Sequence, residues 1–443
     1  MNVLMLSTDR TLLTDGAPAR ARMVDYGSLV TELHIIVYTP KGYTGDHRFP
    51  YNLNGLPYLK IGRNVYVYPT RSARKSLFFK NAFNIGSKII EKRLTETGSE
   101  NPKATDVKKI KAKKNTVIRS IFEKPKTADL NILRGTEDRS EWLITAQDPF
   151  ETGFVGLKLK KKYKAPLQIQ AHTDFLSRYF WRESFKNKIR VLMAERLLKQ
   201  ADCIRVVSNR IKESLQKTKL VGSKIPISVL PIYTEASSVQ APTFTDITKE
   251  GSDSNLADLH VRYPSHNFII LMASRLTREK NIPLALKAMK LVVKHFPGAL
   301  LVIVGDGPEK KELQAFAKPL GGNVVFEPWT ANLNLYYQTA DLFLLTSNYE
   351  GYGRTVVEAQ LAGLPAVMTD VGCAGDIVRD GEGVVVVPVN NVKLLARRIE
   401  ELVENQEFRE KLREGAKQVA KRLLQKEEYL AEYKKSWTSC KLQ

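Results

Sequence analysis

The 443 residues are 43% hydrophobic and 26% charged, a globular composition long enough for two domains with a core each. No apolar run reaches the roughly 18–20 residues of a membrane span, and Met1–Ser7 reads as a strand, not as the start of a signal peptide. The net charge of +22 is uneven: residues 1–235 hold 43 Lys+Arg against 22 Asp+Glu, while residues 236–443 hold 26 against 25.

Strand 2–7, a loop from Asp9 to Pro18 holding Gly16, a helix to about Val30 and strand 33–38 open the chain as a β-loop-α-β unit of a doubly wound domain. Residues 57–70 alternate like two strands about a turn at Gly62. Residues 95–128 are turn-rich and then basic, with five lysines in Lys108–Lys114, and read as an exposed insertion. A strand over 141–148, a helix over 152–164 and strand 167–171 follow, and His172 falls just past that strand's end, where open α/β sheets bind ligands. The segment 175–201 joins Tyr179, Phe180 and Trp181 to a basic amphipathic helix. Residues 156–200 hold 12 Lys+Arg against 3 Asp+Glu. Strand 204–207, helix 209–217 and strand 227–232 complete this half, and a polar linker rich in Ser, Thr, Pro and Asp marks a boundary at 236–258.

The second half alternates short apolar strands (268–273, 299–304, 324–326, 342–345, 366–369, 384–387) with helices, the pattern of a parallel sheet covered on both faces. Helices are expected at 391–404, 407–425 and 427–437. Cys203, Cys373 and Cys440 lie far apart, with neither metal-ligand spacing nor a disulfide framework, which fits a reducing cytoplasm.

The chemistry concentrates after strand 342–345. In Asn348-Tyr349-Glu350-Gly351-Tyr352-Gly353-Arg354-Thr355, the glycines make a turn and a helix begins near Arg354. The free N–H groups and positive end of that helix form an anion site. Glu350 precedes the helix and Glu358 lies a turn inside it, so a diphosphate at the helix start would have carboxylates nearby for sugar and ribose hydroxyls. An ordinary strand–turn–helix with solvated glutamates also fits this stretch alone.

Glu350-x7-Glu358, headed by Glu350-Gly351-Tyr352-Gly353 and followed by Ala359 and Gly363-x-Pro365, resembles the donor-site signature of family-4 glycosyltransferases, retaining enzymes of the GT-B fold. The family usually has Phe at the place of Tyr352 and an apolar residue at that of Arg354. The resemblance implies two Rossmann-like domains facing across a cleft, with an acceptor domain at 1–235, a nucleotide-sugar domain at 259–425 and a C-terminal helix at 426–443. It implies that Arg275 and Lys280, five apart after the first strand of the second domain, bind the donor diphosphate. It further implies that His172 contacts the donor sugar, that Gly16 lies near the phosphates, and that backbone around Glu327-Pro328-Trp329 meets the nucleobase.

The implied function is metal-independent transfer of a hexosyl group, with retention, from a UDP- or GDP-linked sugar to a lipid-linked or glycan acceptor. Glu350, His172, Arg275 and Lys280 are the expected catalytic residues. Gly16, Arg275, Lys280, Gly351, Tyr352, Gly353, Arg354, Thr355 and Glu358 are the expected donor-binding residues. No cofactor and no metal ligand are expected. The basic first half is expected to dock on the cytoplasmic face of an anionic membrane through Trp181, Lys186, Lys188 and Arg190. Two other readings stay open: a nucleotide-sugar epimerase of the same fold, and a non-enzymatic polyanion-binding protein using residues 103–200. Nucleic acid explains the paired donor-site motifs less well.

Overall fold

The computed structural model describes residues 1–43, 49, 51–53, 55–96, 141–234, 258–330 and 332–440. Most of the basic insertion at 95–128, and the linker at 236–258 apart from Asp258, lie outside the described residues. The chain forms two compact units, Met1–Ala146 with Phe154–Leu167, and Gln147–Gly153 with Gln168–Gln443.

The first unit holds β1 (Asn2–Ser7), β2 (Glu32–Val37), β3 (Tyr51–Leu53), β4 (Leu56–Gly62), β5 (Val65–Pro69) and β6 (Trp142–Ala146), in the order β3-β4-β5-β2-β1-β6. β1 is paired in parallel with β2 and β6, β2 with β5, and β4 runs antiparallel to β5. All six residues of β1 are buried, as its apolar run requires for a strand covered on both faces. Helix α1 (Pro18–Gly27) starts on Pro18, whose missing N–H costs nothing in a first turn. Helix α2 (Phe78–Glu96) buries Phe78, Ala82, Ile85, Ile89 and Ile90, while α3 (Glu151–Tyr163), which belongs to this unit from Phe154 onward and to the second unit before it, buries Val155 and Leu159. Gly16 sits in the loop after β1 with φ +73°, a left-handed turn that suits glycine.

The second unit holds β7 (Leu167–Ala171) from Gln168 onward, α4 (Arg178–Glu183), α5 (Phe185–Leu198), β8 (Cys203–Val206), α6 (Asn209–Lys217) and β9 (Ile227–Val229). β7 and β8 are parallel, as are β8 and β9. Its larger sheet contains β10 (Phe268–Ala273), β11 (Ala299–Val304), β12 (Val324–Glu327), β13 (Leu342–Leu345), β14 (Ala366–Thr369) and β15 (Val384–Val387). They are all parallel, in the order β12-β11-β10-β13-β14-β15. Helices α7 (Ile282–His295), α8 (Lys310–Ala317), α9 (Asn334–Thr339), α10 (Arg354–Leu361), α11 (Val392–Glu404) and α12 (Gln406–Ala420) accompany the sheet. One apolar core joins β10, β11 and β13 to α7 and α11 through Ile270, Leu301, Leu344, Met289 and Ile399. This is the doubly wound order in which the chain reverses direction beside its first strand, here between β10 and β13.

The last helix, α13 (Lys426–Thr438), packs on β7 and β8: Gln168 Nε2 donates to Ser436 O at 3.0 Å and Trp437 is fully buried. Here one sequence expectation is corrected. Cys203 and Cys440 are disulfide-bonded, with Cα atoms 5.0 Å apart, although 237 residues separate them. Sequence spacing carries no sign of this, because the pairing follows from α13 returning to β8. Cys373 is free and buried.

Candidate active site

Open α/β sheets bind ligands beyond the carboxyl ends of their strands, at the point where strand order reverses. In the second unit this selects the loop after β10, Ser274–Asn281, and the loop after β13, Thr346–Gly353. The two loops are tied together. Asn348 N donates to Glu279 O at 2.7 Å, Thr346 Oγ1 donates to Lys280 O at 3.0 Å, and Asn281 Nδ2 donates to Asn348 Oδ1 at 3.1 Å. The neighbouring turn Gly305-Asp306-Gly307 is packed against the same region: a Cβ on Gly305 would fall 1.9 Å from Ser274 O, and one on Gly307 would fall 2.4 Å from Leu276 O. These glycines hold the Arg275 loop in place.

At the junction Lys280 Nζ lies 2.5 Å from Glu350 Oε1, and Ser347 Oγ donates to the same oxygen at 2.7 Å. Both side chains of the ion pair are largely buried, 15% and 13% exposed. Arg275 projects outward, 76% exposed, with its guanidinium 3.3 Å from Glu279 Oε1. Gly353, at φ +89°, begins α10 without a side-chain cap, so no side chain caps its first-turn N–H groups, the kind of helix start that suits an anion. Arg354 and Thr355 form that first turn. Arg354 Nε donates to Glu358 Oε1 at 2.6 Å, and Tyr337 OH donates to Glu358 Oε2 at 3.0 Å. Burial and the Glu358 carboxylate push the Tyr337 hydroxyl far above its ordinary range.

Glycine is demanded at Gly351 by sterics, since a Cβ there would fall 1.9 Å from the carbonyl oxygen of His172. The loop after β7 therefore lies against the Glu350 turn. Glu183 at the end of α4 accepts from Tyr349 OH at 2.5 Å, and Arg210 on α6 pairs with Asp370 after β14. Burial and Glu183 drive the Tyr349 hydroxyl up. Asp174, two residues past His172, has its carboxyl raised to about 6 by burial, against the opposing pull of Arg210 and the N–H groups of Leu176 and Ser177.

The structure thus brings His172, Lys280, Glu350, Gly351, Gly353, Arg354, Thr355 and Glu358 together in one unit, with Arg275 at its open side. Gly16 belongs to the first unit. The donor-binding role expected of Tyr352 does not extend to its side chain, which is 2% exposed and packed in the core. Sequence reading missed Ser347, whose partner Glu350 is only three residues on, and the links of Glu279 and Asn281 to Asn348, which lie far apart in the chain.

The membrane residues divide. Phe185, Ile189 and Leu192 are 77%, 44% and 50% exposed and share one face of α5 at i, i+4 and i+7, beside Trp181, Lys186 and Lys188. Val191, Ala194, Leu197 and Leu198 are buried on the other face. Arg190 Nη2 is 2.7 Å from Glu151 Oε1, so the expectation that it faces a membrane is corrected: this carboxylate holds it against the start of α3, and the more exposed Lys186 also approaches the same oxygen, at 3.7 Å. Among the described residues no helix is long and apolar enough to cross a membrane, and no three His, Cys, Asp or Glu cluster as a metal site.

Residues 261–419 match the family model described as Glycosyl transferases group 1. The chain is similar to the poly(glycerol-phosphate) alpha-glucosyltransferase of Bacillus subtilis, 33% identical over 175 residues, 38% of this chain and 26% of that protein. It is also similar to the alpha-monoglucosyldiacylglycerol synthase of Acholeplasma laidlawii, 24% identical over 245 residues, 53% of this chain and 60% of that one. It therefore spans less than two thirds of either relative. Anabaena HepE, solved with UDP and glucose, superposes with a TM-score of 0.66 at 17% identity, over 99% of this chain and all of that one. The fold is that of the GT-B glycosyltransferases.

Proposed function

We propose that the protein is a glycosyltransferase that moves a hexosyl group from a nucleotide sugar to an acceptor hydroxyl, with retention at the anomeric carbon. The observation that carries this reading is the Lys280–Glu350 pair at the strand-order reversal, beside Arg275 and the uncapped start of α10. The match of residues 261–419 to glycosyl transferases group 1 supports it.

A lysine ammonium has three donors. With one on Glu350, the others suit diphosphate oxygens, and Arg275 and the first-turn N–H groups of α10 add further positive charge. The bond from the anomeric carbon to the phosphate oxygen breaks and its electron pair goes to the diphosphate, where these groups stabilise the developing charge. They take the part a divalent metal would otherwise play. The acceptor oxygen bonds to the anomeric carbon, and its proton passes to the departing phosphate oxygen. Lys280 and Ser347 both engage Oε1 of Glu350, so Oε2 suits a sugar hydroxyl. Glu358 suits the ribose, and the ring of His172 suits the sugar. The relatives named for glycerol-phosphate polymers and diacylglycerol glycolipids favour a glycan or lipid-linked acceptor. The exposed Trp181, Phe185, Ile189 and Leu192 beside Lys186 and Lys188 suit docking on an anionic bilayer.

The test is a panel of UDP-, GDP- and ADP-hexoses with lipid and glycan acceptors, with and without EDTA. Acceptor-dependent release of nucleoside diphosphate, unaffected by EDTA, with NMR showing the donor's anomeric configuration in the product, supports the reading. Acceptor-independent conversion of the sugar identifies an epimerase instead. Salt-dependent nucleic-acid binding without turnover identifies a polyanion-binding protein.

A further inference from the structure

On α4, Arg178 and Arg182 stand at i and i+4, so both guanidinium groups share one face, with Trp181 beside them. Like charges at that spacing repel. The one carboxylate of the helix, Glu183, is turned to Tyr349, whose hydroxyl donates to it at 2.5 Å. Along this face runs a groove of about 400 Å³, lined by Phe175, Leu176, Arg178, Trp181, Arg182 and Val191. Phe175 and Val191 are buried beneath it, while Trp181 and both arginines are exposed at its rim. The groove is thus apolar below and cationic above.

Its position relative to the candidate active site is fixed by packing and hydrogen bonds. Phe180, on the inner side of α4, stacks on Phe150 with ring centres 5.9 Å apart and meets Tyr349 edge-on at 5.5 Å. Phe150 in turn meets Phe175 at 5.7 Å. α4 lies against the turn Arg278–Lys280. Tyr179 hydrogen-bonds Asn390, whose Oδ1 accepts from Asn281 Nδ2 at 2.8 Å, and Asn281 is the residue that joins the two loops of the site. Arg178 Nη2 donates to Tyr179 OH at 2.9 Å, with its guanidinium 4.9 Å from the Tyr179 ring centre. Partial burial raises the Tyr179 hydroxyl, but its hydrogen bonds with Arg178 and Asn390 and the charges of Arg178 and Arg182 outweigh this and hold it below its ordinary value. Both arginines therefore act on one point at the edge of the site.

We infer that Arg178 and Arg182 bind the phosphate group of a lipid acceptor in this groove, and so select acceptors that carry phosphate. A single guanidinium fork already satisfies a planar carboxylate. Two forks one turn apart suit a tetrahedral phosphate, which has oxygens for both and charge to relieve their repulsion. The buried floor and Trp181 take the apolar part beside the phosphate. Past Trp181 the exposed apolar surface continues over Phe185, Ile189 and Leu192 of α5, which assigns the phosphate to a lipid and not to a small soluble ester. The acceptor role rests on the function proposed above; the selectivity for a phosphate-bearing lipid does not.

The experiment is calorimetric titration of the full chain, without donor, with three probes: a short-chain lysophosphatidic acid below its micelle concentration, the monoacylglycerol that lacks its phosphate, and glycerol 1-phosphate, which lacks its chain. The lysophosphatidic acid should bind at least about tenfold tighter than either of the others, the effect of one charge-assisted contact. Arg178→Gln and Arg182→Gln should each weaken it about 10- to 150-fold and leave monoacylglycerol binding nearly unchanged, a selectivity that a merely structural loss would not produce. Equal binding of lysophosphatidic acid and monoacylglycerol by the unaltered chain overturns the inference whether or not any variant folds. So does a folded double variant that keeps the preference for phosphate. Glycerol 1-phosphate bound as tightly as lysophosphatidic acid overturns the assignment to a lipid. Transfer assays separate this from the reading it rests on: phosphate-selective binding with no turnover of any nucleotide sugar keeps the site and removes the acceptor role proposed above.

Discussion

Lys280 Nζ and Glu350 Oε1 meet at 2.5 Å across 70 residues, joining the loops that leave β10 and β13 where the sheet reverses its order. In the proposed reaction Lys280→Ala would remove a charge-assisted contact to the leaving diphosphate, worth roughly 1.5–3 kcal/mol. Because that charge develops as the bond breaks, kcat should fall about 10- to 150-fold while nucleotide affinity changes less. Steady-state kinetics beside nucleotide titration check this; equal losses in affinity and turnover would place Lys280 in ground-state binding alone.

Tyr352 is 2% exposed, and its hydroxyl has no hydrogen-bond partner among the described residues. A buried unpaired hydroxyl carries a desolvation cost of about 1–3 kcal/mol. Tyr352→Phe should therefore keep activity and leave stability unchanged or up to about 1 kcal/mol higher. Urea unfolding measures this, and a clear loss of stability would mean the hydroxyl is satisfied in solution.

Asp174 supplies a pH test. Burial raises its carboxyl from the ordinary 3.8 to about 6, so the folded state holds the proton more tightly than the unfolded chain. Its contribution to stability is fully present below pH 3.8 and is lost as pH rises through about 6. One pKa unit corresponds to about 1.4 kcal/mol, so the shift is worth a few kcal/mol at most. Asp174→Asn, whose amide oxygen can still accept the N–H groups of Leu176 and Ser177, should stabilise the protein at pH 8 and have little effect at pH 4. Thermal melts of both proteins at the two pH values decide it; a variant equally or more destabilised at pH 8 contradicts the assignment.

Much of this was legible beforehand. The bounds of β10, β11, β13, β14 and β15 coincide with those read from the sequence, because a short apolar run between helical segments has no alternative when both faces of a sheet are covered. The helix Phe78–Glu96 was not read, since it is entered through a short 3-10 turn with no side-chain cap. Within the site, the residue types were visible and their partners were not. Spacing does put Arg354 and Glu358 on one helix face at i and i+4, but nothing in it says that Glu350 meets Lys280, that Glu358 meets Tyr337, or that Arg190 meets Glu151. The buried polar face of β7 did leave a signal, the alternation Gln168-x-Gln170-x-His172, in which an apolar strand carries amides on a face that must find partners.

On α5, exposed Phe185, Ile189 and Leu192 lie beside Lys186 and Lys188. Each basic residue near an anionic surface contributes about 1 kcal/mol. Co-sedimentation with liposomes should rise with anionic lipid and fall with salt. The charge reversals Lys186→Glu and Lys188→Glu, or Phe185→Ser with Ile189→Ser, should abolish it. Arg190→Glu should instead act mainly on stability, through Glu151, which Lys186 also approaches at 3.7 Å, so Lys188→Glu is the reversal that tests surface charge alone. Wild-type protein remaining in the supernatant at low salt with strongly anionic liposomes would favour a soluble or phosphorylated acceptor.

The most direct measurement of the central claim is a thermal-shift series with UDP, GDP, ADP and their hexose conjugates, on the wild type, Lys280→Ala and Glu358→Ala. One nucleotide class should stabilise the wild type, by about 2.7 kcal/mol at one hundred times its dissociation constant. Glu358→Ala, which loses the group assigned to the ribose, should need a higher concentration for the same shift. No stabilisation by any nucleotide or nucleotide sugar, or equal nucleotide affinity in wild type and Glu358→Ala, would contradict the account.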